Sequence, residues 1–117
     1  MRRVLVCGGR DYSDAEYLNR ILDNAHFREP FAVVIHGDAR GADRLARDWA
    51  KSRDVPDLPF PADWDGLGKK AGPIRNEQMI RDGEPDIVVA FPGGNGTADM
   101  VRRARRYRIP VREINGR

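Results

Sequence analysis

Two patterns of apolar residues alternate along this chain. Short, nearly unbroken apolar runs occupy residues 4–7, 33–36, 87–91 and 111–114, with a weaker one at 58–60. Runs of this length bounded by Gly, Pro or Asp predict strands buried on both faces. The segments between them carry helical spacing instead. Leu18, Ile21, Leu22 and Ala25 recur at offsets of three, four and seven, and Ser13 with Glu16 predicts a capping box at the start of that helix. Ala42, Leu45, Ala46, Trp49 and Ala50 stripe a second helix, with Arg44, Arg47, Asp48 and Lys51 outside the stripe. Pro73 suits the first position of a third helix, which runs to about Arg81 before Gly83 and Pro85 stop it. Thr97, Met100, Val101, Ala104 and Tyr107 form the sheet-facing stripe of a fourth, ending before Pro110. Strands alternating with helices predict an α/β fold, an open parallel sheet of about five strands with helices on both faces. The irregular stretch 61–72, carrying Asp63, Trp64, Lys69 and Lys70, is expected to be a flap.

Length and composition narrow the class. The 117 residues predict one domain over 1–117. Its 21 basic and 18 acidic residues leave a formal charge of +3, a weak pointer to anionic ligands and not a nucleic-acid signature. No stretch approaches the roughly 18 apolar residues of a membrane span, and the apolar start is too short for a signal-peptide core. Cys7 is the one cysteine, so no internal disulfide forms. A cytoplasmic location is expected.

In an open parallel sheet, ligands bind beyond the carboxyl ends of the strands, near a switch in strand order. The polar and glycine clusters fall at those ends: Gly8-Gly9-Arg10-Asp11, Gly37-Asp38-Ala39-Arg40-Gly41-Ala42-Asp43, and Pro92-Gly93-Gly94-Asn95-Gly96-Thr97. Each glycine pair alone suits a tight strand-to-helix turn. Together with Arg10, Arg40 and Thr97 they suggest one rim built for close backbone approach to an anion. Thr97 is expected to cap the helix that follows it in the third cluster.

Single residues carry alternatives. Arg40 precedes the positive end of the second helix, where a cation fits if an anion is present; it either clamps a phosphate or pairs with Asp38 or Asp43. His36, ending a strand, is either a hydrogen-bonded structural residue or a ligand contact. A metal site from His36, Asp38 and Asp43 is not expected, since neighbouring strand residues face opposite ways. Asn76 shares a face with Met79 and Ile80, so its amide points to the covered side and must be satisfied, by neighbouring backbone or by a base or ribose. Arg75 beside it is a second anion contact. Gly68-Lys69 lacks the remaining P-loop residues. The run from Arg102 to Arg108 reads most simply as the solvated face of the last helix.

Pro92-Gly93-Gly94-Asn95-Gly96-Thr97 resembles the Pro-Gly-Gly-x-Gly-Thr signature of the SLOG superfamily of Rossmann-like nucleotide-binding proteins, which includes lonely-guy phosphoribohydrolases, molybdenum-cofactor carriers and DprA. Cys7 to Asp11, His36 to Asp43, Phe60-Pro61-Ala62-Asp63-Trp64 and Gly72-Pro73-Ile74-Arg75-Asn76 are similar to the YspA/YpsA-related branch of bacteria and phages. The resemblance implies a Rossmann-like SLOG domain binding a nucleotide or nucleotide-derived small molecule, phosphate on the 93–97 loop, the base near Trp64 and Asn76. It implies no further cofactor, and dimers or larger assemblies occur in the superfamily, so a homodimer is allowed for. In the phosphoribohydrolases a glutamate follows three positions after the threonine, with an arginine on the preceding helix. Arg75 matches that arginine. Met100 stands at the glutamate position and Asp99 one residue earlier, so Arg75 and Asp99 are the catalytic candidates if an N-glycosidic bond is cleaved. A DprA-like nucleic-acid module using the arginine helix is the third reading.

Overall fold

The computed structural model describes residues 1–116. Five strands, β1 (Arg2–Cys7), β2 (Phe31–His36), β3 (Asp57–Pro59), β4 (Ile87–Ala90) and β5 (Val111–Glu113), form one all-parallel sheet in the order β3-β2-β1-β4-β5. The predicted strands are all present, with ends displaced by one or two residues. β1 is central: Val4 stands beside Val34 of β2 and Ile87 of β4. The chain therefore builds outward in one direction through β2 and β3, and outward in the other through β4 and β5. The switch lies between the carboxyl ends of β1 and β4.

The two-residue period of β1 divides the core. Val4 and Val6 point to a layer containing Leu18 and Leu22 of α1 (Ala15–Arg28) and Ala42, Ala46, Trp49 and Ala50 of α2 (Ala42–Ser52). Leu5 and Cys7 point to the opposite layer, where Met79 and Ile80 of α4 (Ala71–Gly83) meet Met100, Val101 and Ala104 of α5 (Asn95–Arg106). The helices bury most of the stripes their spacing predicted, α5 only at Met100, Val101 and Ala104, and they cover both faces of the sheet. Trp49 also satisfies its indole N–H, which donates to Asp23 at 2.8 Å.

Several local expectations are corrected. Asp14, not Ser13, caps α1: its carboxylate accepts from the Tyr17 N–H at 3.1 Å, while Glu16 pairs with Arg20 at 3.2 Å. Aspartate is as good an N-cap as serine, and the chain uses the one next to the helix. Stretch 61–72 is not irregular throughout. It holds a single helical turn α3 (Trp64–Leu67), capped by Asp63 accepting from the Gly66 N–H at 3.0 Å, and a 3-10 turn over Gly68–Lys70 that runs directly into α4. Pro73 is accordingly the third residue of α4, still inside the first turn where no backbone donor is needed. The helix ends at Gly83 with Glu84 left-handed at φ 51°. α5 begins at Asn95, and its N-cap is Gly94 with no side-chain cap, so Thr97 sits inside the first turn and does not cap. Tyr107 lies past the end of α5, 46% exposed, and its hydroxyl donates to Glu77 instead of facing the sheet.

Candidate functional site

The loops after β1 and β4 touch backbone to backbone. The Gly9 N–H donates to the Pro92 carbonyl at 2.9 Å, and a Cβ on Gly9 would stand 3.1 Å from the Gly93 Cα, while one on Gly93 would stand 2.6 Å from the Gly9 nitrogen. The same Gly9 offers its carbonyl to the Tyr12 and Ala42 N–H groups at 3.2 and 3.1 Å. α2 is thereby drawn onto the β1 loop. Gly41, its N-cap, takes φ 85°, a conformation that favours glycine, and its Cα faces the Gly9 carbonyl so closely that a Cβ would lie 2.2 Å away.

Packing at these glycines opens a cleft of about 520 Å³ at the switch point. Cys7 and Met79 lie at its base, Gly8, Gly9, Arg10 and Asp43 on the β1 side, and Gly94, Asn95, Gly96, Thr97 and Asp99 on the α5 side. Trp64, Arg75 and Asn76 close it from α3 and α4. Of the residues expected from the sequence, these are the ones brought together. Gly94 and Gly96 differ from Gly9 and Gly93: a Cβ on either would meet nothing within 4 Å. They border open space at the start of α5.

The remaining expected residues lie elsewhere. Gly37, Asp38 and Arg40 line an adjoining cleft, Gly93 and Gly41 lie in close contact with neighbouring backbone, and the Pro92 carbonyl accepts the Gly9 N–H. Arg40 reaches Asp11 at 3.3 Å, not Asp38 or Asp43, and the Asp11 side chain is almost fully exposed. His36 is fully buried. Its Nδ1 accepts the Asp38 N–H at 3.0 Å, so its Nε2 carries the proton donated to Asp57 at 2.8 Å. That ring therefore holds the β2 loop, where Asp38 is left-handed at φ 53°, and both its nitrogens are used.

Five groups set the electrostatics. Arg75 lies over Gly37, donating to its carbonyl at 2.7 Å and to the Asn76 side-chain oxygen at 3.1 Å. A Cβ on Gly37 would collide with that guanidinium. Burial lowers the Arg75 pKa, with Asp43 opposing and Arg10 adding repulsion. Asp43 is itself buried, and burial pushes its carboxyl up despite Arg75 and the Ala39 N–H. Asp99 is the reverse: burial alone would raise it, but hydrogen bonds from Arg103 at 2.8 Å and Asn76 at 3.0 Å hold it below the usual carboxylate range. Arg10 rests on the Trp64 ring, 4.9 Å from its centroid. Cys7 is also pushed up, first by burial and then by Asp43, so its thiol stays protonated.

Sequence reasoning missed Cys7, Ala39, Lys69, Gly72, Pro73, Met79 and Arg102 in this cleft. Met79 and Cys7 looked like core, which they also are, while Lys69 and Arg102 arrive only through the turn at Gly68–Lys70 and the pitch of α5. The arginine run is largely paired: Arg103 with Asp99 and Glu77, Arg105 with Glu113, Arg102 with Asp99 at 3.7 Å. Met100 is wholly buried beneath α5, out of the cleft. Among the described residues no helix is long and apolar enough to cross a membrane.

Comparison with known proteins agrees with this architecture. The model of the YspA, cpYpsA-related SLOG family matches residues 2–66. Gene 61 protein of Mycobacterium phage D29 is 41% identical over 119 residues, covering 95% of this chain and 94% of that protein. A strand-switch cleft, the glycine loops around it and both similarities lead to one assignment: the chain belongs to the YspA/cpYpsA-related SLOG family.

Proposed function

We propose that this protein binds a nucleotide or nucleotide-derived ligand in the switch-point cleft, its phosphate seated on the 93–97 loop. The observation that carries this reading is the uncapped start of α5. Gly94 supplies no side chain to the first-turn N–H groups, and Gly94 and Gly96 leave the space above them open. Such a helix start offers backbone donors and a positive dipole end to an anion. The cleft's volume lies within the range of small-molecule sites, and Arg75 and Arg102 lie along its walls. Trp64 supplies a flat apolar surface for a base, near the Asn76 amide, which is bonded to Gly96, Asp99 and Arg75 and fixes that wall. SLOG family membership supports a nucleotide-related ligand in general. The reading needs no metal and no further cofactor.

Calorimetry with nucleoside monophosphates tests it. The wild type binds at least one of them, and Gly94→Val weakens that binding by about tenfold or more, as expected for loss of charge-assisted contacts, while the fold survives with a stability loss of about 1 kcal/mol for the poorer N-cap. Unchanged affinity in Gly94→Val overturns the phosphate seat.

A second reading has its own observation. Asp99 keeps its carboxylate ionised on the cleft wall, with Arg75 on the same cleft. A carboxylate beside a ribose stabilises the positive charge that builds as an N-glycosidic bond breaks. Nucleotide phosphoribohydrolase activity predicts release of free base and ribose phosphate from a nucleoside monophosphate, lost in Asp99→Asn. Binding without release leaves the first reading alone.

A further inference from the structure

A second cleft of about 330 Å³ adjoins the first and shares Arg10, Ala39, Trp64 and Arg75 with it. Beyond that common wall it is lined by Arg40 and Arg44, so four arginines border it against one carboxylate, Asp38. Asp38 is already drawn toward Arg47 at 3.5 Å and Arg44 at 3.8 Å. The Arg40–Asp11 contact is between two exposed side chains, the kind of pair that water nearly cancels.

Two arrangements in this cleft are unfavourable as they stand. Arg40 directly precedes the N-terminus of α2, whose Gly41 cap offers no side-chain acceptor, and a cation there opposes the helix dipole. Arg10 and Arg75 repel each other across the common wall. Among the described residues no carboxylate pairs with Arg10, which is held only by the Trp64 ring. One anion placed among Arg10, Arg40 and Arg44 relieves both.

We infer that this second cleft is an anion subsite and that the ligand of the main cleft carries a second phosphate group that lies in it. The inference rests on the nucleotide reading of the main cleft and narrows it, from nucleotides in general to those with two phosphates. The first phosphate sits at the start of α5, the second beside Arg40 and Arg44, and the part of the ligand joining them passes the Arg10–Trp64 stack. Guanidinium pairs suit the second group because they meet phosphate through two parallel donors.

The test is calorimetry on the full chain with adenine and guanine series of three probes: the nucleoside 5′-monophosphate, the 5′-diphosphate and the 3′,5′-bisphosphate, with inorganic phosphate as the free-ion control. The 3′,5′-bisphosphate, whose phosphates are separated by the sugar, is expected to bind about tenfold or more tightly than its monophosphate, the gain of one charge-assisted contact set, whereas the 5′-diphosphate, with one oxygen between its phosphorus atoms, gains less. The double variant Arg40→Ala, Arg44→Ala removes that advantage and leaves monophosphate affinity within about twofold. Inorganic phosphate that binds the second cleft as tightly as the two-phosphate probe overturns the link between the sites. Equal affinity for one and two phosphates, with monophosphate binding lost in Gly94→Val, overturns the second subsite alone. No binding of any probe overturns the nucleotide reading along with it.

Discussion

The Asn76 side-chain nitrogen donates to the Asp99 carboxylate at 3.0 Å and, from the same atom, to the Gly96 carbonyl at 3.2 Å. One buried amide thus ties the second turn of α4 to the beginning of α5. Asn76→Asp keeps the shape, removes both donors and sets a second carboxylate against Asp99. It is expected to destabilise the fold by about 1–3 kcal/mol, the usual cost of leaving buried polar groups unmatched, and to raise the Asp99 pKa. Chemical denaturation and NMR titration of Asp99 measure the two effects; a variant as stable as the wild type contradicts the tie.

Glycines of the two kinds in the loops separate by stability. Gly93→Ala forces a methyl to 2.6 Å from the Gly9 nitrogen, where backbone must shift, and is expected to cost about 1–3 kcal/mol as overpacking does. Gly96→Ala meets open space and exchanges a poor helix former for a good one, so stability is retained or rises by up to about 1 kcal/mol. Thermal melts that rank the two in the opposite order contradict the packing described.

Asp43 and Asp99 predict opposite pH dependences. The native pKa of Asp43 is raised, so the folded state holds a proton that the unfolded state has released, and stability falls as pH rises from about 4 through the native value. Asp43→Asn removes that loss and gains on the wild type across the same window, reaching a plateau above it. The native pKa of Asp99 is lowered: its contribution is full above about pH 4 and disappears as pH falls through the native value. Asp99→Asn therefore loses ground at neutral pH and recovers it in acid. Denaturation midpoints followed from pH 3 to 8 decide both signs.

His36→Leu leaves the Asp38 N–H and the Asp57 carboxylate without their partner, at an expected cost of about 1–3 kcal/mol. Because the ring is sealed beneath the β2 loop and reaches neither cleft, the same change in a folded sample is expected to leave monophosphate affinity within about threefold. A larger loss of affinity at unchanged stability makes His36 a ligand contact after all.

The two tryptophans provide an internal probe. Trp49 is 1% exposed in the core, whereas Trp64 is 45% exposed at the wall shared by both clefts. A ligand in either cleft is expected to alter the emission of Trp64 and leave that of Trp49 unchanged, so Trp64→Phe abolishes the fluorescence response.

What the sequence revealed followed from repetition. Leu18–Leu22 and Ala46–Trp49–Ala50 repeat with the helical period, and the alternation of Val4, Leu5, Val6 and Cys7 feeds two opposite layers, so the architecture was legible. α3 was not: four residues are too few to show a period, and its cap, Asp63, looked like any loop aspartate. The glycine loops announced the rim of the cleft, but not which glycines pack and which face open space, because that depends on the partner strand. His36 and Arg40 illustrate the same boundary. Their alternatives were evident from position alone, and only Asp57 and Asp11, distant in sequence, show which partner each takes.

The central place of β1 has one more consequence. The cleft's β1 and α5 banks come from distant parts of the chain, joined where the Gly9 N–H reaches the Pro92 carbonyl. Every residue of the early bank is synthesised long before anything exists to face it. A chain interrupted before β4 can lay down three strands and four helices yet lacks the α5 bank of the switch-point cleft. A ligand seated between those banks needs both of them, so split fragments broken between α4 and β4 are expected to bind nucleotide only when mixed.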